Sequence, residues 1–232
     1  DVARALDPEI ISSDSIQIYK YLNIGSAKPT GEEMGGVMHH MIDFLEPGVR
    51  FSAADFVEMG RPPIAKINGK GKIPVIVGGT GLYISSLLDG VEFIKDAPAN
   101  PVLREQLAEE ARKLGGEALH QKLQAIDPAS AEKISPNDIK RVIRAIEIYE
   151  TTGVTKSDHD ARQKESPFLP FLFMIDSPRA VLYERINRRV DLMFESGLIL
   201  EVKQILEMGY GPRCAAMQAI GYKEIVDYLI DS

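Results

Sequence analysis

The sequence predicts an α/β fold, a parallel sheet flanked by helices and interrupted by an all-helical insertion. Three runs, Glu9-Ile10-Ile11-Ser12-Ser13-Asp14, Lys72-Ile73-Pro74-Val75-Ile76-Val77-Gly78-Gly79 and Phe171-Leu172-Phe173-Met174-Ile175-Asp176, are apolar without alternation and end in polar residues or glycine. That pattern suits strands buried on both faces of a parallel sheet. Helical spacing fills the intervals between the runs, and strands alternating with helices define the α/β class. Between Pro98 and about Thr152 helical spacing takes over altogether.

In chain order, the first strand ends at Asp14. A helix is expected from about Ser52 to Asn68, kinked or split at Pro62-Pro63 because proline removes a helical donor and crowds the preceding turn. The second strand runs into Gly78-Gly79-Thr80-Gly81, a turn whose glycines allow close backbone approach. Leu103, Leu107, Ala111 and Leu114 recur at helical intervals, as do Ile139, Val142, Ile143 and Ile146. Thr151 to Pro170 is polar and rich in turn formers, and returns the chain from insertion to core. Helices follow the third strand near Ala180–Glu195, Leu198–Met208 and Gln218–Leu229. The expected organisation is a first core segment (1–96), a helical insertion domain (97–165) and a second core segment (166–232).

Composition narrows the function classes. The chain has 232 residues, 44% hydrophobic and 26% charged, enough for one sizeable globular unit or a core with an insertion. One cysteine, Cys214, allows no internal disulfide and no cysteine-built metal site, which fits a reducing compartment such as the cytoplasm. No apolar run reaches the roughly 20 residues needed to cross a bilayer, so no membrane partner is expected. A formal net charge of −7 argues against a sequence-blind nucleic-acid coat, but leaves room for RNA recognition by a local basic face.

Ligands of open parallel sheets bind beyond the carboxyl ends of the strands. Asp14 and the Gly78–Gly81 turn both follow strands, so they can share one site. An aspartate there could hold magnesium through water or take a proton from a weak nucleophile, and Gln17 could read a base edge. Equally, Asp14 or Ser15 could cap the next helix. Thr80 could bond a phosphate or base, or simply complete a tight turn.

Arg185 and Arg189, four apart on a helix whose apolar side carries Leu182, Ile186 and Met193, could clamp a pyrophosphate. The alternative is a solvated face with salt bridges to Glu184 or Asp191. Lys140 and Arg144, with Arg141 beside them, offer a phosphate-backbone contact or another solvated face. His39, His40 and Asp43 are too close in sequence to converge easily on one metal, so loop packing is expected. Tyr19, Tyr83 and Tyr222 could each stack a base, although buried packing is the commoner fate.

Taken together, the ordered segments Ile11-Ser12-Ser13-Asp14-Ser15-Ile16-Gln17-Ile18-Tyr19, Asn23-Ile24-Gly25-Ser26-Ala27-Lys28-Pro29, His39-His40-Met41-Ile42-Asp43, Phe51-Ser52-Ala53-Ala54-Asp55-Phe56, Val77-Gly78-Gly79-Thr80-Gly81-Leu82-Tyr83, Asn137–Glu147, Arg185–Asp191 and Gln218–Glu224 closely resemble the bacterial tRNA dimethylallyltransferase (isopentenyl-tRNA transferase) family. The resemblance covers nearly the whole chain. It implies a P-loop kinase-like core, Mg2+, and transfer of a dimethylallyl group from dimethylallyl diphosphate to the exocyclic N6 amine of the adenosine 3′ of the anticodon (position 37), in tRNAs reading codons that begin with U. It further implies a helical insertion that closes on the anticodon stem-loop, and a monomeric enzyme.

Carried over by position, the resemblance makes Asp14 the group that bonds or deprotonates the amine, and Asp14, Ser15, Ile16 and Gln17 the cradle of a flipped base. Thr80, Arg104, the stretch Lys140, Arg141, Val142, Ile143 and Arg144, and the stretch Gln218, Ala219, Ile220, Gly221, Tyr222 and Lys223 match tRNA-contacting positions. Arg189, with Arg185 one turn earlier, matches the diphosphate-binding arginine.

There are departures. Lys140 stands where glutamine is usual and Met38 where proline is common. The family's glycine-rich loop, ending Gly-Lys-Thr or Gly-Lys-Ser, would precede Asp1-Val2-Ala3-Arg4-Ala5-Leu6, which looks like the helix after it. Because the first strand of a parallel core is hard to delete, a longer enzyme that carries the loop is expected, rather than a truncated and inactive one.

Overall fold

The computed structural model describes residues 8–90, 99–161, 166 and 168–231. The chain divides into two compact units, Asp1–Leu87 with Leu169–Ser232, and Leu88–Phe168.

The first unit opens with β1 (Glu9–Ser12), the short helix α1 (Gly31–Met34), β2 (His39–His40), α2 (Ala53–Gly69), β3 (Pro74–Val77) and α3 (Gly81–Leu88). The strands form one parallel sheet in the order β2-β1-β3, with Glu9 opposite Pro74, Ile11 opposite Ile76 and Ile10 opposite His39. Parallel pairing requires crossover connections, and α2 supplies the one between β2 and β3. Its start is fixed by a capping box, in which the Ser52 side chain accepts from Asp55 N–H and the Asp55 carboxylate from Ser52 N–H. The helix runs unbroken through Pro62 and Pro63, so the expected split does not occur. Phe56, Val57, Gly60, Ile64 and Ile67 are buried on one side of it, while both prolines lie off that face.

A charged cluster locks the sheet. The Glu9 carboxylate accepts from His40 Nε2 (2.8 Å) and pairs with Lys70, tying β1 to β2 and to the end of α2. The Lys70 and His40 hydrogen bonds hold the Glu9 pKa down at about 2. His39 bonds the Val37 carbonyl through Nδ1 (2.8 Å), so both histidines serve packing, as expected.

The second unit is helical: α4 (Pro101–Leu114), α5 (Gly116–Ile126), α6 (Pro128–Lys133), α7 (Ile139–Thr152) and α8 (Lys156–Ala161). Leu107, Ala111, Leu119, Leu123, Ala131, Val142, Ala145 and Ile146 form its core, matching the periodicity of the sequence. Asn100 and Asp138 cap α4 and α7, and the left-handed Gly153 ends α7. Within the return stretch, α8 is held by the buried Asp127. Its carboxylate accepts from Ser130 N–H and Ser157 N–H, both at 3.0 Å.

The chain re-enters the first unit through α9 (Arg179–Glu195), α10 (Leu198–Glu207), a 3-10 turn (Ala216–Gln218) and α11 (Tyr222–Asp231). Ile18, Tyr19 and Leu22 pack there against Leu198, Val202, Ile205, Met217, Tyr222, Ile225 and Val226. The expected helix from Gln218 is a 3-10 turn and then a helix from Tyr222, because Gly221 sits at φ 90° and breaks the helical path.

One expected strand is absent. Phe171–Asp176 carries no strand, and Ile175 is 98% exposed. A strand buried on both faces needs a hydrogen-bonded neighbour, and this run pairs with none of β1, β2 or β3. With no sheet strand beneath it, α9 buries no residue, and its expected apolar side, Leu182 and Ile186, stands exposed. Asp1–Leu6 and the junctions at 96–97 and 162–165 lie outside the described residues. Among the described residues no helix is long and apolar enough to cross a membrane.

Candidate active site

Asp14 and the Gly78–Gly81 turn meet at the carboxyl edge of the sheet, where β1 and β3 end side by side. Ser13 N–H donates to the Val77 carbonyl (2.7 Å), and Thr80 N–H donates to the Ser13 carbonyl (3.1 Å). Ser15 N–H then donates to the Thr80 hydroxyl (3.0 Å). Gly78 makes this approach feasible, since a Cβ there would lie 2.2 Å from the Ser13 carbonyl oxygen.

The two Asp14 carboxylate oxygens are placed differently. Oδ1 accepts from Ile16 N–H (2.8 Å) and Gln17 N–H (3.1 Å), which closes a turn rather than capping a helix. Oδ2 has no hydrogen-bond partner among the described residues. One oxygen therefore orients the carboxylate and the other is available for chemistry.

Gln17 is more constrained than its type suggested. Its amide nitrogen donates to the carbonyls of Ser26 (3.0 Å) and Ala27 (3.1 Å). Both amide hydrogens are thereby engaged, and any reading of a base falls to its carbonyl oxygen. Around it, Tyr21, Ala27, Met41 and Asp43 all adopt positive φ, between 47° and 70°. Such backbone costs energy in residues with a Cβ and persists where surrounding contacts impose it. Lys28 is one such contact, donating to the Tyr19 carbonyl and to Asp43, both at 2.6 Å.

Glu201, on α10, was not singled out from the sequence. Its Oε2 accepts from Asn23 N–H (2.9 Å) and Ile24 N–H (2.8 Å), while Oε1 accepts from Gly25 N–H (3.3 Å) and the Tyr222 hydroxyl (2.6 Å). Burial and the Glu201 carboxylate together push the Tyr222 phenol far above its usual pKa. A cue was present, since Glu201 lies on the same helical stripe as Leu198, Val202 and Ile205.

The three tyrosines are core residues. Tyr19, Tyr83 and Tyr222 are buried, with Tyr83 stacked on Phe56 at 4.6 Å between ring centres. In the Gln218–Lys223 stretch, Ala219 and Tyr222 face inward, so their side chains are unavailable to a nucleic acid, whereas Gln218, Ile220 and Lys223 are exposed. The same division holds on α7, where Val142 and Ile143 are buried and Lys140 and Arg141 are exposed. A contiguous helical stretch always turns part of itself inward, which accounts for the division in both stretches.

Arg104 and Arg144 converge on Glu147, which is fully buried. Arg104 grips both carboxylate oxygens (2.8 Å each), Arg144 Nη1 donates to Oε2 (2.5 Å) and Asn100 N–H to Oε1 (2.7 Å). Burial alone would raise the Glu147 pKa, but these donors outweigh it and hold the carboxyl below its ordinary range. Two guanidinium groups thus share one buried carboxylate. Both keep more than a third of their side chains exposed.

Arg185 and Arg189 are exposed on α9 and make no hydrogen bond or ion pair among the described residues, so the anticipated bridges to Glu184 or Asp191 are not formed. They are not brought into contact with Asp14 or Thr80. No group of three or more His, Cys, Asp or Glu side chains among the described residues could hold a metal.

The IPP transferase family model matches residues 17–232. A tRNA dimethylallyltransferase of Carboxydothermus hydrogenoformans is 51% identical over 98% of this chain and 73% of its own length. One from Acetivibrio thermocellus is 48% identical over 99% of this chain and 74% of its own. Among solved structures, the tRNA isopentenylpyrophosphate transferase of Bacillus halodurans superposes with a TM-score of 0.68 at 43% identity, covering 99% of this chain and 71% of that one. A eukaryotic dimethylallyltransferase captured acting on tRNA gives 0.81 at 30% identity, covering 99% and 59%. The likeness bears out the P-loop kinase-like fold expected from the sequence. On a family match spanning almost the whole chain, and relatives near half identity along it, this protein belongs to the IPP transferase family.

Proposed function

We propose that this protein transfers a dimethylallyl group from dimethylallyl diphosphate to the N6 amine of the adenosine 3′ of the anticodon in tRNAs reading codons that begin with U. The observation that carries the proposal is the Asp14 carboxylate, oriented through Oδ1 and joined to the Thr80 turn at the sheet edge. As the amine nitrogen bonds to the allylic carbon, the bond from that carbon to the diphosphate oxygen breaks and its electron pair leaves with diphosphate. Asp14 Oδ2 accepts the proton the amine sheds, which matters because an amine conjugated to adenine is a poor nucleophile. Gln17 and the Ser15–Ile16 backbone cradle the flipped base.

Arg185 and Arg189 hold the diphosphate and oppose the charge that grows on it. Magnesium bound to diphosphate would neutralise more of that charge. Such an ion keeps water and substrate phosphates as most of its ligands, and Asp14 would contact it through water. Residues 97–165 act as the insertion domain that engages the anticodon stem-loop. Arg104, Lys140, Arg141 and Arg144 meet phosphates there, and Gln218, Ile220 and Lys223 supply contacts from the core. The enzyme acts as a monomer.

The test incubates the full-length protein with labelled dimethylallyl diphosphate, Mg2+, unmodified tRNA and AMP. Label is expected in tRNA and not in AMP. Label in AMP alone would assign the protein to free-nucleotide prenylation, and label in neither would make it a catalytically dead RNA-binding relative. Asp14→Ala should abolish transfer while leaving tRNA binding largely intact, and unchanged turnover would remove Asp14 from the mechanism.

A further inference from the structure

Glu201 is a carboxylate 8% exposed, and its described partners are three backbone N–H groups and a phenol, with no cation among them. Burying a charge in this way is expensive, and it is sustained only when hydrogen bonds satisfy the oxygens. The acceptor lies on α10, 176 to 178 residues along the chain from the donors it holds. A surface loop could have been capped far more cheaply by a local side chain.

The clamped loop leads directly to Asp14. Asn23, Ile24 and Gly25 are held by Glu201, and the next two residues, Ser26 and Ala27, offer their carbonyls to the Gln17 amide. The loop is stiffened further by Ser26 Oγ donating to the Leu22 carbonyl (2.6 Å) and by Lys28 N–H donating to the Asn23 carbonyl (2.9 Å). Gln17 N–H, in turn, is one of the two donors that orient Asp14 Oδ1. On the far side of Gln17, its own carbonyl accepts from Asp43 N–H (2.9 Å). Gly25 admits no slack, because a Cβ there would lie 2.5 Å from the Tyr222 ring.

We propose that Glu201 is a positioning residue for prenyl transfer, setting the place of Asp14 through the Asn23–Ala27 loop and Gln17. The proposal rests on the role of Asp14 given above and extends it. Glu201→Gln would aim an NH2 group at two of the present donors, release the loop and let the Gln17 side chain drift. A displacement of about 1 Å near reacting atoms can cost on the order of 10²-fold in rate. Diphosphate binding, which falls to other residues, should be spared.

The test compares full-length wild type with Glu201→Gln and Glu201→Asp by residue-resolved amide hydrogen exchange and steady-state prenylation of tRNA. Glu201→Gln is expected to speed exchange at Asn23, Ile24 and Gly25 and also at Ile16 and Gln17. It should lower kcat by roughly 10- to 100-fold, with KM for dimethylallyl diphosphate within about twofold. Glu201→Asp keeps the charge and should recover part of kcat. Exposed amides at 23–25 with Ile16 and Gln17 still protected would overturn the proposal. So would a lowered melting temperature with kcat unchanged, or a parallel collapse of kcat and KM in both variants. Since exchange at Ile16 and Gln17 is read without turnover, loss of coupling there is distinguishable from failure of Asp14 as the proton acceptor, which Asp14→Ala reports separately.

Discussion

Substituting alanine at Gly78 is the most direct perturbation of the site, because its consequence can be measured from the backbone alone. The added Cβ would lie 2.2 Å from the Ser13 carbonyl oxygen, 2.4 Å from its carbon and 2.8 Å from its Cα. Ordinary contact begins near 3.4 Å, so the two strand ends must part by about 1.2 Å. All three obstructing atoms are backbone, so no flexible side chain can swing aside. The same separation stretches the Thr80 N–H to Ser13 carbonyl bond and the Ser15 N–H to Thr80 hydroxyl bond, now 3.1 and 3.0 Å, beyond useful length. Overpacking of this kind costs about 1–3 kcal/mol of stability. For catalysis, a shift near 1 Å at Asp14 corresponds to on the order of 10²-fold in kcat, or about 2.7 kcal/mol of barrier. The assay is single-turnover prenylation of unmodified tRNA at saturating dimethylallyl diphosphate, with thermal melting run alongside. A variant that melts near wild type and turns over within twofold of it would refute the coupling of the Ser13–Asp14 strand end to the Thr80 turn.

Glu147→Ala should destabilise the helical unit by about 2–3 kcal/mol in chemical denaturation. This lies below the usual cost of breaking a buried pair because Arg104 and Arg144 are partly exposed and can regain water. An effect under about 0.5 kcal/mol would deny it a structural role. Glu9 has its folded pKa lowered from 4.5 to about 2, so its contribution is present above the unfolded value and lost as pH falls from about 5 toward 2. Glu9→Gln should flatten stability against pH in that window, as followed by acid titration of circular dichroism, and an unchanged acid transition would contradict it. Arg189→Ala should raise KM for dimethylallyl diphosphate and lower kcat while sparing tRNA affinity in filter binding, and a tRNA-binding defect alone would misplace the residue.

Much of the site was legible because strand ends announce themselves. An apolar run that stops at Asp14, and another that stops at Gly78-Gly79-Thr80, must deliver both to one sheet edge once the strands pair in parallel, and they do. The helical unit was legible for a similar reason, since Leu107, Ala111, Val142 and Ile146 carry the helical period of its core. Buried acids were harder to see. Glu147 and Glu201 occupy positions on apolar helical stripes, yet Arg104 lies 43 residues from Glu147 and Asn23 178 from Glu201, and periodicity names no partner. The third apolar run misled for the opposite reason. Its composition suits a strand, but a strand exists only through its neighbour, and Phe171–Asp176 has none among the described strands. The tRNA-contacting stretches were carried over as blocks, and Val142, Ile143, Ala219 and Tyr222 face inward because a helix or tight turn divides any block between solvent and core.

The clamp at Glu201 also bears on how such a sequence can drift. It grips Asn23 and Ile24 by their backbone, so as far as the clamp is concerned their side chains carry no information. Positions 25, 201 and 222 behave differently: the bare Cα at Gly25 makes room for the Tyr222 ring, and that ring delivers its hydroxyl to Glu201. These three are bound into one inheritance unit. A change at any of them would demand an answering change at another, whereas Asn23, held only by its backbone N–H, could be rewritten without loosening the grip.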